Sequence, residues 1–425
     1  MSVYTQLTNE QFSTFCQSFG VSFARAIPIT QGIKNSNWFI QTTEDSDGEH
    51  SYVFTLFEER PATDIEKMAV ILNQLVGKLP VAAPLALLNA ADANVNDANV
   101  NDASDDQRYV IHYQNKAITL VPCLAGEHPK QTTQAMCHEI GAALALLHET
   151  LQALQPSEDY GVALYPWAQV RDREIQFMPG DEAKLMRDIW QSYTDLPLAT
   201  LPKGLCHLDM FADNTLWDLP ASNGPQANAK LTGLLDFTEV SVDHYVMDIA
   251  ITINDFCTTW GDAEQGESVN FDRSKMKAFL DGYQSKRMLA SDEQRALPVM
   301  LAKAAVIFWL LRLNVIHYNR TEGRTGDNIM VKNPDLMKRL AAYHWSHVEK
   351  AQDTVYVLEH AVYKDDSRTN DVEDFKIIGV FTTEQQAQAA IKQLQAQPGF
   401  KDYPNGFHID SYPLDQINWS TGFGG

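Results

Sequence analysis

Basic residues are scarce. The 425-residue chain carries 33 Lys and Arg against 55 Asp and Glu, a formal net charge of −22. That balance argues against nucleic acid as the main partner, because neutralising a phosphate backbone requires clustered cations. A nucleotide stays open, since backbone amides and Mg²⁺ can hold its phosphates. Cysteine is also sparse, with Cys16, Cys123, Cys137, Cys206 and Cys257 and no C-x-x-C pair. The thiols read as reduced and isolated, and a structural zinc site is not expected. No apolar run reads as approaching the roughly 20 residues of a membrane helix. The N-terminal "MSVYTQLTNEQF" has no basic stretch followed by an apolar one, so no secretory signal is expected. The expectation is a cytoplasmic protein with no membrane partner.

The length predicts two or three domains. Residues 1–88 read as α+β: a short amphipathic helix in "EQFSTFCQSF", two strands around a turn in "ARAIPITQGIKNSNWFIQTT", and a third in "SYVFTLFEER". A helix follows in "DIEKMAVILNQL", with Ile65, Met68, Leu72 and Leu75 near helical spacing. The segment at 90–107 repeats the pentamer ANVND and reads as a polar surface insert. "RYVIHYQNKAITLVPCL" reads as two more strands. Helices dominate from 132 onward, where Ile140, Leu144, Leu147 and Leu151 share one face. Short strands interrupt them at 205–237. The last 70 or so residues read as a separate β-β-α-β module, with Thr383 and Gln386 in a capping-box pattern.

The densest chemistry lies in "GLCHLDMFADNTLWD", where His207, Asp209 and Asn214 form H-x-D-x-x-x-x-N. Downstream, "LLDF" ends a strand at Asp236–Phe237, and a hairpin return would set Asp236 beside Asn214. Phosphoryl transfer needs such a set. One carboxylate orients the attacking hydroxyl and accepts its proton, while an asparagine oxygen and a second carboxylate hold Mg²⁺. Asp209 is the expected base, Asn214 and Asp236 the expected metal ligands, and His207 an orienting group. The other reading of these residues is a polar loop beside an apolar strand, with Asp213–Asn214 as a turn.

On "GIKNSNWFIQT", "YVFTLFEER", "IGAALALLHE", "CHLDMFADNTLW", "LLDF" and "YVMDIAITIND", the chain resembles the aminoglycoside-phosphotransferase-like small-molecule kinases. Within that group "NSNWFIQT" with "TLFEER" is most similar to the bacterial homoserine kinases. The resemblance spans roughly 1–345 and implies an α+β, two-lobed, protein-kinase-like fold. An N-lobe at 1–120, with an antiparallel sheet and the insert, would cover the nucleotide. A mainly helical C-lobe at 121–350 would carry catalysis and substrate binding, and the accessory domain would occupy 354–423. The cofactors implied are ATP and Mg²⁺, and the small-molecule partner is L-homoserine. The strand turn would cover the phosphates with Asn35 and Asn37 nearby, and the backbone of Pro122, Cys123 and Leu124 would meet the adenine. Asp248 would fix the catalytic loop. One departure stands out: kinases of this fold usually place a lysine on the third strand, where this chain has Thr55. Lys34 or Arg60 would then substitute, or Mg²⁺ and backbone amides would meet the phosphate charge.

A homoserine site needs an arginine for the carboxylate and an acid for the amine. Arg312, alone in the apolar "FWLLRLNVI", and Asp255 are the candidates. An arginine laying its stem over apolar surface explains Arg312 equally well. Kinases for choline, methylthioribose or aminoglycosides, and a nucleotide-binding scaffold without turnover, would share the same site residues. The C-terminal module carries no catalytic constellation; regulation, self-association or contact with another protein are its functional readings.

Overall fold

The computed structural model describes residues 5–29, 35–43, 52–58, 60–89, 94–95, 108–162, 164–219, 229–260, 269–321, 333–352, 354–363 and 372–413. Lys34, most of the insert at 90–107 and the last residues of the C-terminal module lie outside them. A capping box starts α1 (Asn9–Ser18): Thr8 Oγ1 accepts from the Gln11 amide at 3.2 Å, and Gln11 Oε1 from the Thr8 amide at 2.8 Å. There follow β1 (Phe23–Pro28), β2 (Asn35–Thr42), β3 (Tyr52–Phe57), α2 (Ala62–Leu75), β4 (Asn94–Val95), β5 (Ile111–Tyr113) and β6 (Lys116–Pro122). The strands form one sheet in the order β1-β2-β3-β6-β5-β4, antiparallel except between β4 and β5.

Strand alternation sets the two faces of this sheet. Ser36, Trp38, Ile40, Phe54 and Leu56 are buried, while Asn35, Asn37 and Thr55 lie between them on the half-buried face. The buried face packs under α1, where the Phe12 ring meets Trp38 and Phe54 edge-on at 5.1 and 5.2 Å. Glu58, from the "TLFEER" stretch, closes one end of this core. It accepts hydrogen bonds from Ser36 Oγ at 2.5 Å, from the Thr5 amide at 3.1 Å and from Lys116.

The helical part contains α3 (Gln134–Leu151), α4 (Trp167–Glu174), α5 (Gly180–Thr194), β7 (Lys203–Cys206), β8 (Thr215–Asp218), β9 (Lys230–Leu234), β10 (Ser241–His244) and α6 (Tyr245–Phe256). After these come β11 (Thr258–Thr259), β12 (Asn270–Phe271), α7 (Arg273–Gln284), α8 (Ser291–Thr321) and α9 (Pro334–Gln352). The stripe Ile140, Leu144, Leu147 and Leu151 is buried as its spacing implies. α3 and α7 touch backbone to backbone, because a Cβ on Gly141 would strike the Phe279 carbonyl and one on Gly282 the His138 carbonyl.

One sequence expectation is corrected here. Within Ser291–His317 of α8, an 18-residue stretch has a mean hydropathy of 1.9, and the helix is long and apolar enough to cross a membrane by length and composition. Lys303 and Arg312 interrupt the run when it is read residue by residue, but averaging along the helix absorbs them. Just over half of that window, 56%, is buried inside the protein. Lys303 itself is buried over the Trp190 ring, 2.9 Å from its centroid, so α8 packs as a core helix against α5.

The chain divides into two compact units, Met1–Ala341 and Ala342–Gly425. The second contains β13 (Thr354–Tyr363), β14 (Val372–Phe381), α10 (Glu384–Leu394) and β15 (Phe407–Pro413), with sheet order β14-β13-β15. The β-β-α-β order matches the sequence pattern. Thr383 Oγ1 caps α10 by accepting from the Gln386 amide at 3.3 Å, and Ala387 on the apolar stripe is fully buried.

Candidate active site

The loop between β7 and β8 carries His207, Asp209 and Asn214, and a single buried carboxylate holds its start. Asp248, on the first turn of α6, accepts the His207 amide through Oδ2 and the Leu208 amide through Oδ1, each at 2.8 Å. It also accepts His148 Nε2 at 3.0 Å. Leu208 adopts φ +62°, a left-handed conformation that leucine rarely takes. The paired amide bonds keep it there. Burial pushes the Asp248 carboxyl up, but the hydrogen bond from His148 and its charge outweigh that, leaving the group below the usual carboxylate range.

His207 is fully buried and both ring nitrogens are engaged. Nδ1 accepts from the Asp209 amide at 3.2 Å, and Nε2 donates to the Leu235 carbonyl at 3.0 Å. This pattern fixes the neutral tautomer with its proton on Nε2. Burial also depresses its pKa, against an opposing pull from Asp248. His207 therefore positions the loop by hydrogen bonding and has no nitrogen left for proton transfer.

Asn214 Nδ2 donates to the Asp209 carbonyl at 2.8 Å and to Asp209 Oδ2 at 3.1 Å. The Asn214 carbonyl accepts the Leu235 amide at 2.9 Å, and β8 pairs antiparallel with β9. The hairpin thus sets Asp236 one residue beyond a main-chain bond to Asn214. Asp236 is exposed, has φ +55°, and uses Oδ1 to accept from Thr238 Oγ1 at 2.5 Å. Three oxygen-bearing side chains therefore lie on neighbouring backbone, with the Asn214 amide edge turned toward Asp209.

The remaining sequence candidates are distributed as follows. Asn37 and Thr55 are register partners across β2 and β3, and Thr119 is the next partner on β6. Asn35 opens β2; Pro122 ends β6 and leads through Cys123 and Leu124 to the helical part. Burial pushes the Cys123 thiol up to about 11. Arg60 Nη2 pairs with Glu239 at 2.7 Å. Arg312 Nη1 donates to the Asn333 carbonyl at 2.8 Å. Burial pulls its guanidinium down to about 10, while Asp255 and Asp213 push it back up. The Phe211 ring packs tilted against Phe308, one turn before Arg312, at 4.7 Å, which brings this face of α8 to the loop. Asp255 accepts the Ala212 amide at 2.8 Å and Trp260 Nε1 at 3.3 Å.

Sequence reasoning missed His148 and Glu239. For His148 a signal existed: it follows Leu144 by four residues on the apolar stripe of α3, an unusual place for an imidazole. His148, Cys206 and Asp248 bring ligand atoms within 4.8 Å of one another. The hydrogen bonds of His148 to Asp248 and Tyr283, and a Cys206 thiol held well above its ordinary pKa by burial, make this a bonded polar core.

The loop between β7 and β8 and the hairpin return at Asp236 thus bring hard oxygen donors together on neighbouring backbone. The "Phosphotransferase enzyme family" matches residues 25–287, and the chain belongs to that family. Residues 353–423 match a "Domain of unknown function (DUF7336)". The homoserine kinase of Ralstonia nicotianae is 28% identical over 327 residues, covering 75% of this chain and 90% of that protein. The homoserine kinase of Neisseria meningitidis serogroup B is 26% identical over 342 residues, covering 80% and 98%. Among solved structures, an amicoumacin kinase in complex with AMP-PNP, Ca²⁺ and Ami shares the fold. It has a TM-score of 0.53 at 13% identity, over 80% of this chain and 94% of that one.

Proposed function

We propose that the chain is an ATP-dependent homoserine kinase. It would transfer the γ-phosphoryl group of ATP to the side-chain hydroxyl of L-homoserine, giving O-phospho-L-homoserine and ADP, in threonine biosynthesis in the cytoplasm. The observation that carries the chemistry is the Asp209 carboxylate, held by Asn214 at 3.1 Å on a loop that Asp248 clamps. Near-complete coverage of relatives named homoserine kinases supports the substrate.

Asp209 orients the hydroxyl and takes its proton as it attacks the γ-phosphorus in line. Asn214 turns its amide to Asp209, which leaves its carbonyl oxygen directed elsewhere, and Asp236 keeps Oδ2 beyond its turn bonds to Thr238. These hard oxygens suit Mg²⁺. When bound, Mg²⁺ neutralises charge on the transferring phosphate. Asn35, Asn37 and Thr55 lie on the half-buried face of the sheet and would hydrogen-bond the phosphates, while the Pro122–Leu124 backbone would meet the adenine.

Arg312 stays charged at neutral pH, with its guanidinium near 10. It reads the substrate carboxylate, and Asp255, which accepts from the Ala212 amide and Trp260, would meet the ammonium. ADP release from purified protein with Mg²⁺-ATP, across L-homoserine, choline, methylthioribose and kanamycin, tests the substrate. Stimulation by homoserine alone is expected, and stimulation by another compound overturns the assignment. The C-terminal module is read as an accessory domain for self-association or contact with another protein.

A further inference from the structure

Arg60 stands just before the Pro61 cap of α2, and its partner Glu239 stands three residues beyond Asp236. The two are 179 residues apart in the chain. A second bond joins the same two regions: the Leu234 amide, two residues before Asp236, donates to the Pro80 carbonyl at 2.8 Å. Pro80 lies shortly after α2 ends at Leu75. A third contact comes from α2 itself, where Lys67 Nζ reaches the Gly161 carbonyl at 3.4 Å. The next residue, Val162, bonds its amide to the Val240 carbonyl at 2.9 Å. The backbone from Leu234 to Val240 is therefore tied to the residue that precedes the α2 cap and to the segment that follows α2, and through Gly161 and Val162 indirectly to the middle of that helix.

We propose that Arg60 is a positioning residue for Asp236, acting through Glu239, and that α2 sets where the Asp236 carboxylate stands. The proposal rests on the reading of Asp236 as a metal ligand. Its physical basis is the turn at Asp236. A left-handed residue in an exposed turn has few contacts of its own, so its side-chain direction is set by what grips either flank. Upstream the grip is a main-chain bond; downstream it is the Arg60–Glu239 ion pair. Arg60 is thereby committed to a carboxylate, which differs from direct service to the phosphates in place of the missing strand lysine.

Full-length protein would be titrated with Mn²⁺ in the presence of AMP-PNP, following free Mn²⁺ by electron paramagnetic resonance. Wild type would be compared with Arg60→Ala, Glu239→Gln, the double variant and the charge-reversed pair Arg60→Glu with Glu239→Arg. A half-exposed ion pair of this kind is worth a factor of up to about five. Each single variant should weaken Mn²⁺ binding by about threefold to fivefold, the double variant should be no worse than either, and the reversed pair should recover most of the loss. AMP-PNP affinity without metal and KM for homoserine should be unchanged in all four, and thermal melts should coincide with wild type within a few degrees. Two results overturn the proposal. One is weaker metal-free AMP-PNP binding in Arg60→Ala alone, which places Arg60 on the phosphates. The other is wild-type Mn²⁺ affinity in every variant. Failure of wild type itself to bind Mn²⁺ with nucleotide would instead count against the metal site, and so against the kinase mechanism beneath the proposal.

Discussion

Replacing Asp248 by Asn tests the account of the loop at its root. The carboxylate accepts three hydrogen bonds, two on Oδ2 from His207 and His148 and one on Oδ1 from Leu208. An amide keeps one acceptor and presents a donor to whatever faced the other. With the oxygen left toward His207 and His148, the Leu208 amide meets an NH₂ group and goes unsatisfied in a buried site. A lost bond to a charged acceptor costs about 1.5–3 kcal/mol and an orphaned buried donor about 1–3 kcal/mol. Urea unfolding at pH 7 should therefore show a loss of about 3–5 kcal/mol. Because Leu208 is left-handed only while its amide is held, Asp209 would shift as well. A displacement near 1 Å lowers turnover by roughly 10²-fold. The pH dependence carries a sign. The folded carboxyl lies below its unfolded value, so its contribution is complete above about pH 4 and fades as pH falls through the folded value. The gap between variant and parent should shrink in acid. A variant that loses less than about 1 kcal/mol and keeps full turnover would refute the reasoning.

Asp209→Asn should abolish ADP release while the protein still folds and binds ATP; full activity would defeat the proposed mechanism. Gly282→Ala should cost about 1–3 kcal/mol in urea unfolding, because the new methyl presses on the His138 carbonyl and forces α3 and α7 apart. Glu58→Gln should lower the melting temperature at pH 7. Burial raises the Glu58 carboxyl, but Lys116, Ser36 and Thr5 outweigh it and hold the group below its ordinary value. That deficit should narrow as pH drops below about 4. Removal of residues 354–425 should leave homoserine phosphorylation detectable; complete loss with an intact fold would show that the module completes the site.

The local patterns were readable because each is a statement about neighbours in sequence. Alternation in "NSNWFIQT" predicts one buried face, and Ser36, Trp38 and Ile40 are buried. His207, Asp209 and Asn214 lie within eight residues, so their spacing already marked them as one candidate set. The apolar character of α8 was underestimated for a physical reason: two cations spaced nine apart end a run on paper, yet a helix hides the stem of each. What sequence order could not show were the clamps between distant residues. His148 and Asp248 lie 100 positions apart, and nothing near either names the other. The C-terminal module sits at the opposite extreme, since its strands and capped helix are regular enough to read without any partner.

The strand position of Thr55 belongs to neither extreme, and it explains more of the site than a lysine would. Asn37, Thr55 and Thr119 stand side by side across β2, β3 and β6. That row offers hydrogen bonds and no charge. Arg60, the nearest described basic side chain along the chain, is bound to Glu239. On the proposed mechanism the phosphate charge then falls on the metal held by Asn214 and Asp236, so the alignment of those two residues bears more than it does where a lysine shares the work. This makes the extra bonds around Asp236 intelligible. If Asp236 holds the metal as proposed, the ties from Pro80 and Arg60 fix its two flanks from either side of α2.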